Sequence, residues 1–278
     1  MKVHHLNCAT LCPVSARLVN GSGGLFSPAV ITCHCLLIET NRNLILVDTG
    51  LGLKDIVHPD KLGRIFRTII RPELNPAEAA VEQIKRLGFS ADDVQHIILT
   101  HLDLDHAGGL PDFPNARVHV SATEYNSAMM VRTLRNMFRY HPSQWSHNPR
   151  WKTHEADGDK WFGFDAVRAL DKGETEILLI PLKGHSGGHC GVAIKIPERW
   201  ILHCGDAYFF HEEMSFDKPH CTPGLCLYQR VLATGNKERI INQQRLRELK
   251  RNQGAGVQIF CSHDHGELLT FREGLQNK

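Results

Sequence analysis

Residues 97–110 constrain the fold and chemistry of this chain more than any other stretch. They read Ile-Ile-Leu-Thr-His-Leu-Asp-Leu-Asp-His-Ala-Gly-Gly-Leu. A short apolar run typical of a β-strand ends at Thr100, and the possible metal ligands that follow within a few positions are His101, Asp103, Asp105 and His106. If the backbone is extended here, alternate side chains project to one side, so His101, Asp103 and Asp105 are expected to face the same way.

This crowding of imidazoles and carboxylates predicts a metal site. Such groups are costly to desolvate unless a positive charge lies among them. A divalent cation supplies that charge, and nitrogen and oxygen ligands suit zinc, manganese or iron. The alternative is a solvated polar loop with two incidental histidines, and the close spacing argues against it. The small residues 107–109 that follow favour a tight turn or close backbone packing.

Composition narrows the class of protein. A chain of 278 residues can bury a large core, and no linker divides it, so we expect one domain spanning residues 1–278. The net charge of +2 gives no reason to expect a nucleic acid or an anionic membrane as partner. There is no apolar run long enough to span a bilayer, and residues 1–8 lack the apolar region of a signal peptide.

The nine cysteines are odd in number and scattered, which favours reduced thiols in the cytoplasm. The pairs Cys33/Cys35 and Cys221/Cys226 could be imagined as a second metal site, but neither has the closing pair of a structural zinc site. We therefore interpret them as free thiols.

Strand and helix signals predict an α+β fold. Apolar runs at 30–39 and 44–47, joined by a polar turn, indicate a β-hairpin, and residues 237–253 indicate a long amphipathic helix. Strands and helices alternate in two rounds, which favours an αββα sandwich of two mixed sheets flanked by helices. Four of the β-runs are followed by histidine or aspartate, at residues 101–106, His185, Asp206 and His263, and we expect these groups to converge at one edge.

These motifs, in this order, resemble the metallo-β-lactamase superfamily. Residues 101–106 are similar to its H-x-H-x-D-H signature, with Asp103 in place of the second histidine. The Asp-Thr-Gly at 48–50, the Gly-His-Ser-Gly-Gly-His at 184–189, Asp206 and the Ser-His-Asp at 262–264 follow the order of its other motifs. Within the superfamily, the segment from Asp48 through the Leu-Gly-Phe at 87–89 to 101–109 resembles the N-acyl homoserine lactonases.

The resemblance implies a dinuclear site. One cation would be held by His101, Asp103 and His185, and the other by Asp105, His106 and His263, with Asp206 bridging. It places Asp48 and His189 behind the ligands, with His265 as an alternative to His263. Tyr208 would donate to the oxyanion, although it lies two residues after Asp206 and the lactonases have a tyrosine three residues after.

The leading functional hypothesis is a metal-dependent hydrolase of an ester-like bond, with an acyl homoserine lactone as the first substrate to consider. Two divalent cations, most plausibly zinc with iron or manganese as alternatives, would lower the pKa of a bridging water so that hydroxide attacks the carbonyl. Asp105 would orient this nucleophile and pass its proton to the leaving group. Residues 125–165, rich in aromatic and methionine side chains, could form a lid or pocket wall for a small-molecule substrate, and a homodimer is possible.

Three alternatives stay open from the sequence. A glyoxalase II-like thioesterase would need basic groups near the mouth, for which Arg132, Arg135 and Arg139 could serve. A phosphodiesterase would use the same metal site. A di-iron oxidoreductase belongs to another class, and it is favoured by Asp103, because an anionic oxygen makes the first site harder and favours iron or manganese relatively more.

Overall fold

The computed structural model describes residues 1–130, 133–155, 158–170 and 175–276. Its strands are β1 (Lys2–Leu11), β2 (Ile31–Glu39), β3 (Leu44–Val47), β4 (Val94–Ile98), β5 (Arg117–Ser121), β6 (Arg150–His154), β7 (Asp159–Trp161), β8 (Phe164–Arg168), β9 (Ile177–Pro181), β10 (Cys190–Lys195), β11 (Trp200–His203) and β12 (Val257–Phe260). Its α-helices are α1 (Ala16–Val19), α2 (Leu53–Val57), α3 (Ala80–Arg86), α4 (Leu104–Ala107), α5 (Ala122–Met129), α6 (Leu134–Arg139), α7 (Pro223–Leu232), α8 (Asn236–Gln253) and α9 (His265–Gln276).

The strands form two six-stranded sheets, each in sequence order. In the first sheet β1, β2 and β3 are antiparallel and β3 to β6 are parallel. In the second sheet β7 to β11 are antiparallel, and β12 lies parallel to β11. Parallel neighbouring strands are joined by crossover connections. The helices between β3 and β6 lie in these connections, and so do α7 and α8, which lie between β11 and β12.

The buried strand β2 shows why both faces of each sheet are covered. Its alternate side chains enter different cores: Leu36 and Ile38 pack between the sheets, whereas Leu37 packs on the side of α3. The predicted hairpin is confirmed, since Leu36 pairs with Val47 across β2 and β3. A strand buried on both faces is expected to be apolar throughout, as the sequence of β2 largely is.

The second sheet repeats this arrangement with α8. Leu178 and Ile180 of β9 pack with Leu246 and Leu249 of α8, while the intervening Leu179 faces the other sheet. Burying each such leucine contributes roughly 1.5–3 kcal/mol. The layers are therefore helices, sheet, sheet and helices, which confirms the predicted αββα sandwich.

Most of the described part of residues 125–165 is built into the framework of the first sheet, and residues 159–165 belong to the second sheet as β7 and the start of β8. It supplies α6 and the edge strand β6, and Tyr140 and Trp145 are buried in the core beside α3. The apolar cavity described below is lined by residues outside 125–165. The interpretation of this segment as a lid therefore stays a prediction. Among the described residues, no helix combines the length and apolar character needed to cross a bilayer.

Candidate metal centre

The segment after β4 turns into a helix sooner than an extended backbone would. Asp103 has an extended backbone and serves as the N-cap position of α4, so Asp105 and His106 lie in a helical turn. The sequence predicted that His101, Asp103 and Asp105 would face the same way along an extended backbone. They do not, because Asp105 already lies in the helical turn. The turn instead places the two adjacent residues Asp105 and His106 on the same side of the site.

Two buried clusters of possible ligands meet at one carboxylate. In the first, ligand atoms of His101, His185 and Asp206 all lie within 4.8 Å of one another. In the second, those of His106, His263 and Asp206 do so too. Asp206 Oδ2 is 3.5 Å from His185 Nε2, and Asp206 Oδ1 is 3.2 Å from the Nε2 atoms of both His106 and His263. Asp206 thus has the shared position expected of a bridging ligand.

The remaining predicted ligands lie at the edges of these clusters. Asp103 Oδ2 is 2.9 Å from His185 Nε2 and 3.5 Å from His101 Nε2. Asp105 Oδ2 is 3.7 Å from His263 Nε2, and its side chain is 14% exposed. The structure therefore brings all seven predicted ligands together at the carboxyl ends of the strands.

The hydrogen bonds behind the imidazoles aim their Nε2 atoms into the site. His106 donates from Nδ1 to Asp48 Oδ2 at 2.8 Å, and His263 donates from Nδ1 to a backbone carbonyl at 2.8 Å. Thr100 donates its hydroxyl hydrogen to Asp48, so its oxygen accepts from His101 Nδ1 at 2.9 Å. Fixing one nitrogen of a histidine as the donor leaves the other free to bind a metal.

Unsatisfied buried atoms indicate that these residues fit a cation. His101 Nε2 and Asp206 Oδ1 are buried without a hydrogen-bond partner. Asp206 Oδ1 has imidazole nitrogens 3.2 Å away, but this proximity lacks hydrogen-bond geometry, and His106 Nε2 and His263 Nε2 face each other at 3.4 Å. Buried polar atoms left in this way are costly, and a divalent cation with nitrogen and oxygen ligands would satisfy them.

The charges of the site also favour a cation. Burial alone would raise the pKa of Asp206, but His263 and His106 hold it well below its usual value. Burial would likewise raise the pKa of Asp103, and Arg139 holds it well below its usual value. Burial would lower the pKa of His106, whereas Asp206 and Asp48 hold it well above its usual value. Carboxylates that stay ionised are ready ligands, and an imidazole proton is what a metal displaces on binding.

Asp48 and His189, which were predicted to lie behind the ligands, are hydrogen-bonded to residues of the two clusters. Asp48 is fully buried and accepts from the backbone N–H and the hydroxyl of Thr100 as well as from His106. His189 donates from Nδ1 to a backbone carbonyl and accepts the Asp206 backbone N–H at Nε2. His265 is exposed at the first residue of α9, which corrects its prediction as a residue of the buried site.

Glycine packing fixes the loop of α4. A Cβ at Gly108 would lie 2.7 Å from the Gly50 oxygen, and one at Gly109 would lie 2.9 Å from the Thr49 oxygen. The predicted close packing of residues 107–109 is thus against the Asp-Thr-Gly motif at 48–50. Neither position tolerates a larger side chain without a shift of the backbone.

The predicted role of Tyr208 does not fit the structure. Its side chain is fully buried in the core beneath the second sheet, and its hydroxyl donates to Glu267 Oε1 at 2.9 Å. The Tyr208 ring therefore packs in this core and its hydroxyl does not face the predicted ligands. Phe209, the next residue, instead stacks on His263 with a centroid distance of 4.8 Å.

The Tyr208–Glu267 pair gives a testable dependence of stability on pH. Burial raises the pKa of Glu267 from 4.5 to about 7. Because the folded-state pKa lies above the unfolded one, the stability contributed below about pH 4.5 is lost as the pH rises towards 7, by up to about 3 kcal/mol. Glu267→Gln removes this titration, so we expect urea unfolding at pH 5 and pH 8 to show a smaller loss in the variant than in the wild type. Equal losses in both proteins would contradict the assignment.

An apolar cavity of about 370 Å³ opens beside the second cluster. Asp105, His263 and Tyr228 line it together with Leu11, Val19, Ile31, Ile70 and Leu225. Burial raises the pKa of Tyr228 well above its usual value, and the Asp105 and Asp206 carboxylates add to this, so its hydroxyl remains a donor. Cys33 lies near the same wall, with Sγ within 4.8 Å of ligand atoms of Asp105 and His263.

Comparison with known proteins settles the family. Residues 29–263 match the model described as the metallo-beta-lactamase superfamily. The chain belongs to this superfamily. It is accordingly a hydrolase of the metal-dependent kind, with the fold and the ordered motifs that the sequence predicted.

Relatives within the superfamily narrow the comparison. The probable metallo-hydrolase Rv2300c of Mycobacterium tuberculosis is 40% identical over 265 residues, which are 95% of this chain and 80% of that protein. The N-acyl homoserine lactonase of Bacillus thuringiensis is 38% identical over 97 residues, 34% of this chain and 38% of that protein. A crystal structure of B. thuringiensis AiiA, with N-decanoyl-L-homoserine bound at the active site, superposes with a TM-score of 0.72 and 22% identity over 97% of this chain and 95% of that chain.

Sequence reasoning missed Glu124, which holds two loops of the superfamily site together. Residues 121–124 have the sequence of a capping box, but only half of it forms: Ser121 caps α5, whereas the Glu124 carboxylate contacts the segments around the site. It accepts from the Leu102 N–H at 3.1 Å, and from the Ser186 hydroxyl at 2.6 Å and the Gly188 N–H at 3.1 Å. The local sequence fits a helix cap so well that only the tertiary contacts reveal this role.

Proposed function

We propose that this chain opens acyl-substituted lactones, of the N-acyl homoserine lactone type, with two bound divalent cations. The observation that carries the proposal is the position of the shared carboxylate Asp206 between two buried ligand clusters, one of which opens on an apolar cavity. The local 38% identity to a lactonase supports the same substrate class. The polar lactone end of such a substrate would lie at the ligand clusters, and its apolar acyl tail would lie in the cavity.

The first cation would be held by His101, Asp103 and His185 and the second by Asp105, His106 and His263, and Asp206 would be available to both. Zinc suits this set of nitrogen and oxygen ligands, with iron or manganese as alternatives. When bound, the two cations would supply a nucleophilic water at neutral pH and polarise the lactone carbonyl.

The protein's own groups would then orient the substrate and move the proton. Asp105 lines the cavity, so its carboxylate can hold the attacking water and pass a proton to the ring oxygen as it leaves. Tyr228, which lines the same cavity, would donate a hydrogen bond to the carbonyl oxygen as negative charge develops there. The apolar wall would exclude water from the acyl chain.

The experiment that tests this proposal is a lactone series. Ring opening releases a proton, so turnover by zinc-loaded protein can be followed with a pH indicator. We expect kcat/KM to rise by roughly fourfold per added CH₂ of the acyl chain until the cavity is filled. No ring opening, or turnover of phosphodiesters or glutathione thioesters in its place, would reject the lactonase assignment.

Tyr228→Phe is expected to lower kcat by about a hundredfold with little change in KM, because one oxyanion donor is lost while the cavity keeps its shape. Tyr208→Phe is the matched control: it removes the same hydroxyl from a tyrosine that faces Glu267 in the core. We expect its kcat to stay within about threefold of wild type. The reverse pattern would return the donor role to Tyr208.

The thioesterase alternative loses one of its supports. Arg139 was a possible partner for glutathione carboxylates, but it is buried and contacts Asp103. Arg132 and the side chain of Arg135 lie outside the described residues. The di-iron oxidoreductase remains distinguishable by experiment, because it would require bound iron and a redox partner for activity.

We further propose a reducing compartment, the cytoplasm, because all nine cysteines are free thiols and eight of them are at least partly shielded in the fold. The possible homodimer stays a prediction. The partner expected in every case is a small-molecule substrate.

A further inference from the structure

Arg139 is held on both sides of its guanidinium. It is the last residue of α6 and is buried. Its Nη1 donates to Asp103 Oδ1 at 3.0 Å and to Oδ2 at 2.9 Å, while Nη2 donates to the Leu232 carbonyl at the end of α7 at 2.8 Å. The planar guanidinium therefore has a fixed orientation towards the carboxylate.

The same carboxylate takes part in the first ligand cluster. Asp103 Oδ2 is 2.9 Å from His185 Nε2 and 3.5 Å from His101 Nε2. A carboxylate oxygen has two lone pairs, so contact with Arg139 leaves Oδ2 able to face the imidazoles as well. Arg139 thus fixes the rotation of Asp103 with this oxygen directed into the cluster.

Charge explains why the pair should act together. Asp103, Asp105 and Asp206 bring three carboxylates into one buried site. A buried charge without a partner is strongly unfavourable, whereas a neutral ligand at position 103 would need no partner. Arg139 offsets the one carboxylate that stands where the resembling motif has a neutral histidine.

We propose that Asp103 and Arg139 form one unit that takes the place of a neutral imidazole ligand, with Arg139 as the positioning residue. This inference rests on the metal site of the proposed function. If the two residues act as one unit, Asp103 can be exchanged for histidine only when the charge of Arg139 is removed at the same time.

The test is a double-mutant cycle of wild type, Asp103→His, Arg139→Gln and the double variant. In chelator-treated, metal-free protein, we expect each single variant to melt about 10 °C lower, because each leaves a buried charge unpaired, and the double variant to melt within about 4 °C of wild type. Zinc affinity, measured by competition with a chromophoric chelator, should fall at least about tenfold at one site in Asp103→His and recover to within about threefold in the double variant. Arg230→Gln, an exposed arginine of α7, is the control and should change neither quantity.

Arg139→Lys adds a readout that a purely structural ion pair would not move. Lysine keeps the charge but has one nitrogen in place of the two that hold Asp103 and the Leu232 carbonyl, so it fixes the carboxylate less well and we expect near-wild-type melting with weaker zinc binding. If Asp103→His does not fold, Asp103→Asn and its double variant with Arg139→Gln provide the same comparison.

Two results would overturn the inference in different ways. If Asp103→His lowers the melting temperature and the zinc affinity by the same amount in the wild type and in the Arg139→Gln protein, the two residues act independently. If wild-type protein takes up no zinc, iron or manganese, the proposed function fails; non-additive melting would then assign the pair to the fold alone and reject its role toward a metal.

Discussion

Asp105→Asn is expected to lower kcat for lactone opening by about a thousandfold at full metal occupancy. General acid–base groups typically contribute 10²–10⁴-fold, and asparagine keeps an oxygen ligand of the same shape while losing the ability to carry a proton. Asp105 is suited to this role because it is partly exposed to the cavity, whereas Asp206 is buried between the clusters.

Metal content must be measured in the same samples, so that lost chemistry is separated from a lost ligand. Asp112→Asn is the matched control, since Asp112 caps the Leu53 N–H away from the cavity. We expect its kcat to stay within about twofold of wild type. A fully loaded Asp105→Asn protein with wild-type kcat would remove Asp105 from the mechanism.

Asp48→Asn should weaken metal binding by about ten- to a hundredfold, although Asp48 is not a ligand itself. An asparagine amide nitrogen in the place of Oδ1 would face the Thr100 N–H, and in the place of Oδ2 it would face both the Thr100 hydroxyl and His106 Nδ1. The effect on metal binding is expected from the second orientation. The His106 ring would lose the acceptor that fixes its Nε2 toward the site. We also expect the free energy of unfolding to fall by about 2 kcal/mol.

The substitution is well suited to this question because Asp48 has φ of 54°, a left-handed conformation that asparagine adopts as readily. Glu213→Gln is the control: it disturbs another buried carboxylate, which accepts from the Phe209 and Phe210 N–H groups and from Gln229. We expect Glu213→Gln to lose stability in urea without losing metal affinity in chelator competition. Equal metal affinity in Asp48→Asn and wild type would contradict the role of Asp48.

The fold and the order of the site could be predicted from sequence because both follow from local patterns. Apolar runs such as β2 mark strands, and a polar residue directly after a buried strand, such as Asp48, or a few residues after one, such as His185, is expected at the edge of the sheet. The convergence of the histidines and aspartates could then be predicted from the layer architecture, without knowledge of individual long-range contacts.

What the sequence could not provide depends on rotation and on distant contacts. Tyr208 lies close to Asp206 in sequence, whereas Tyr228 lines the cavity together with Asp105 and His263. Only the path of the chain after Asp206 decides which tyrosine faces the cavity. Glu124 fits a local capping pattern yet binds two distant loops, and Arg139 belongs to a helix 36 residues from Asp103. Tertiary contacts of this kind have no signature in a single sequence.

The central claim is that the two clusters sharing Asp206 hold two metal ions, and elemental analysis tests it most directly. Protein reconstituted with zinc, iron or manganese and freed of loosely bound metal should contain about two ions per chain. Asp206→Ala should lower this number, because the carboxylate shared by both clusters is removed. One ion or none at saturating metal, or an unchanged content in Asp206→Ala, would contradict the claim.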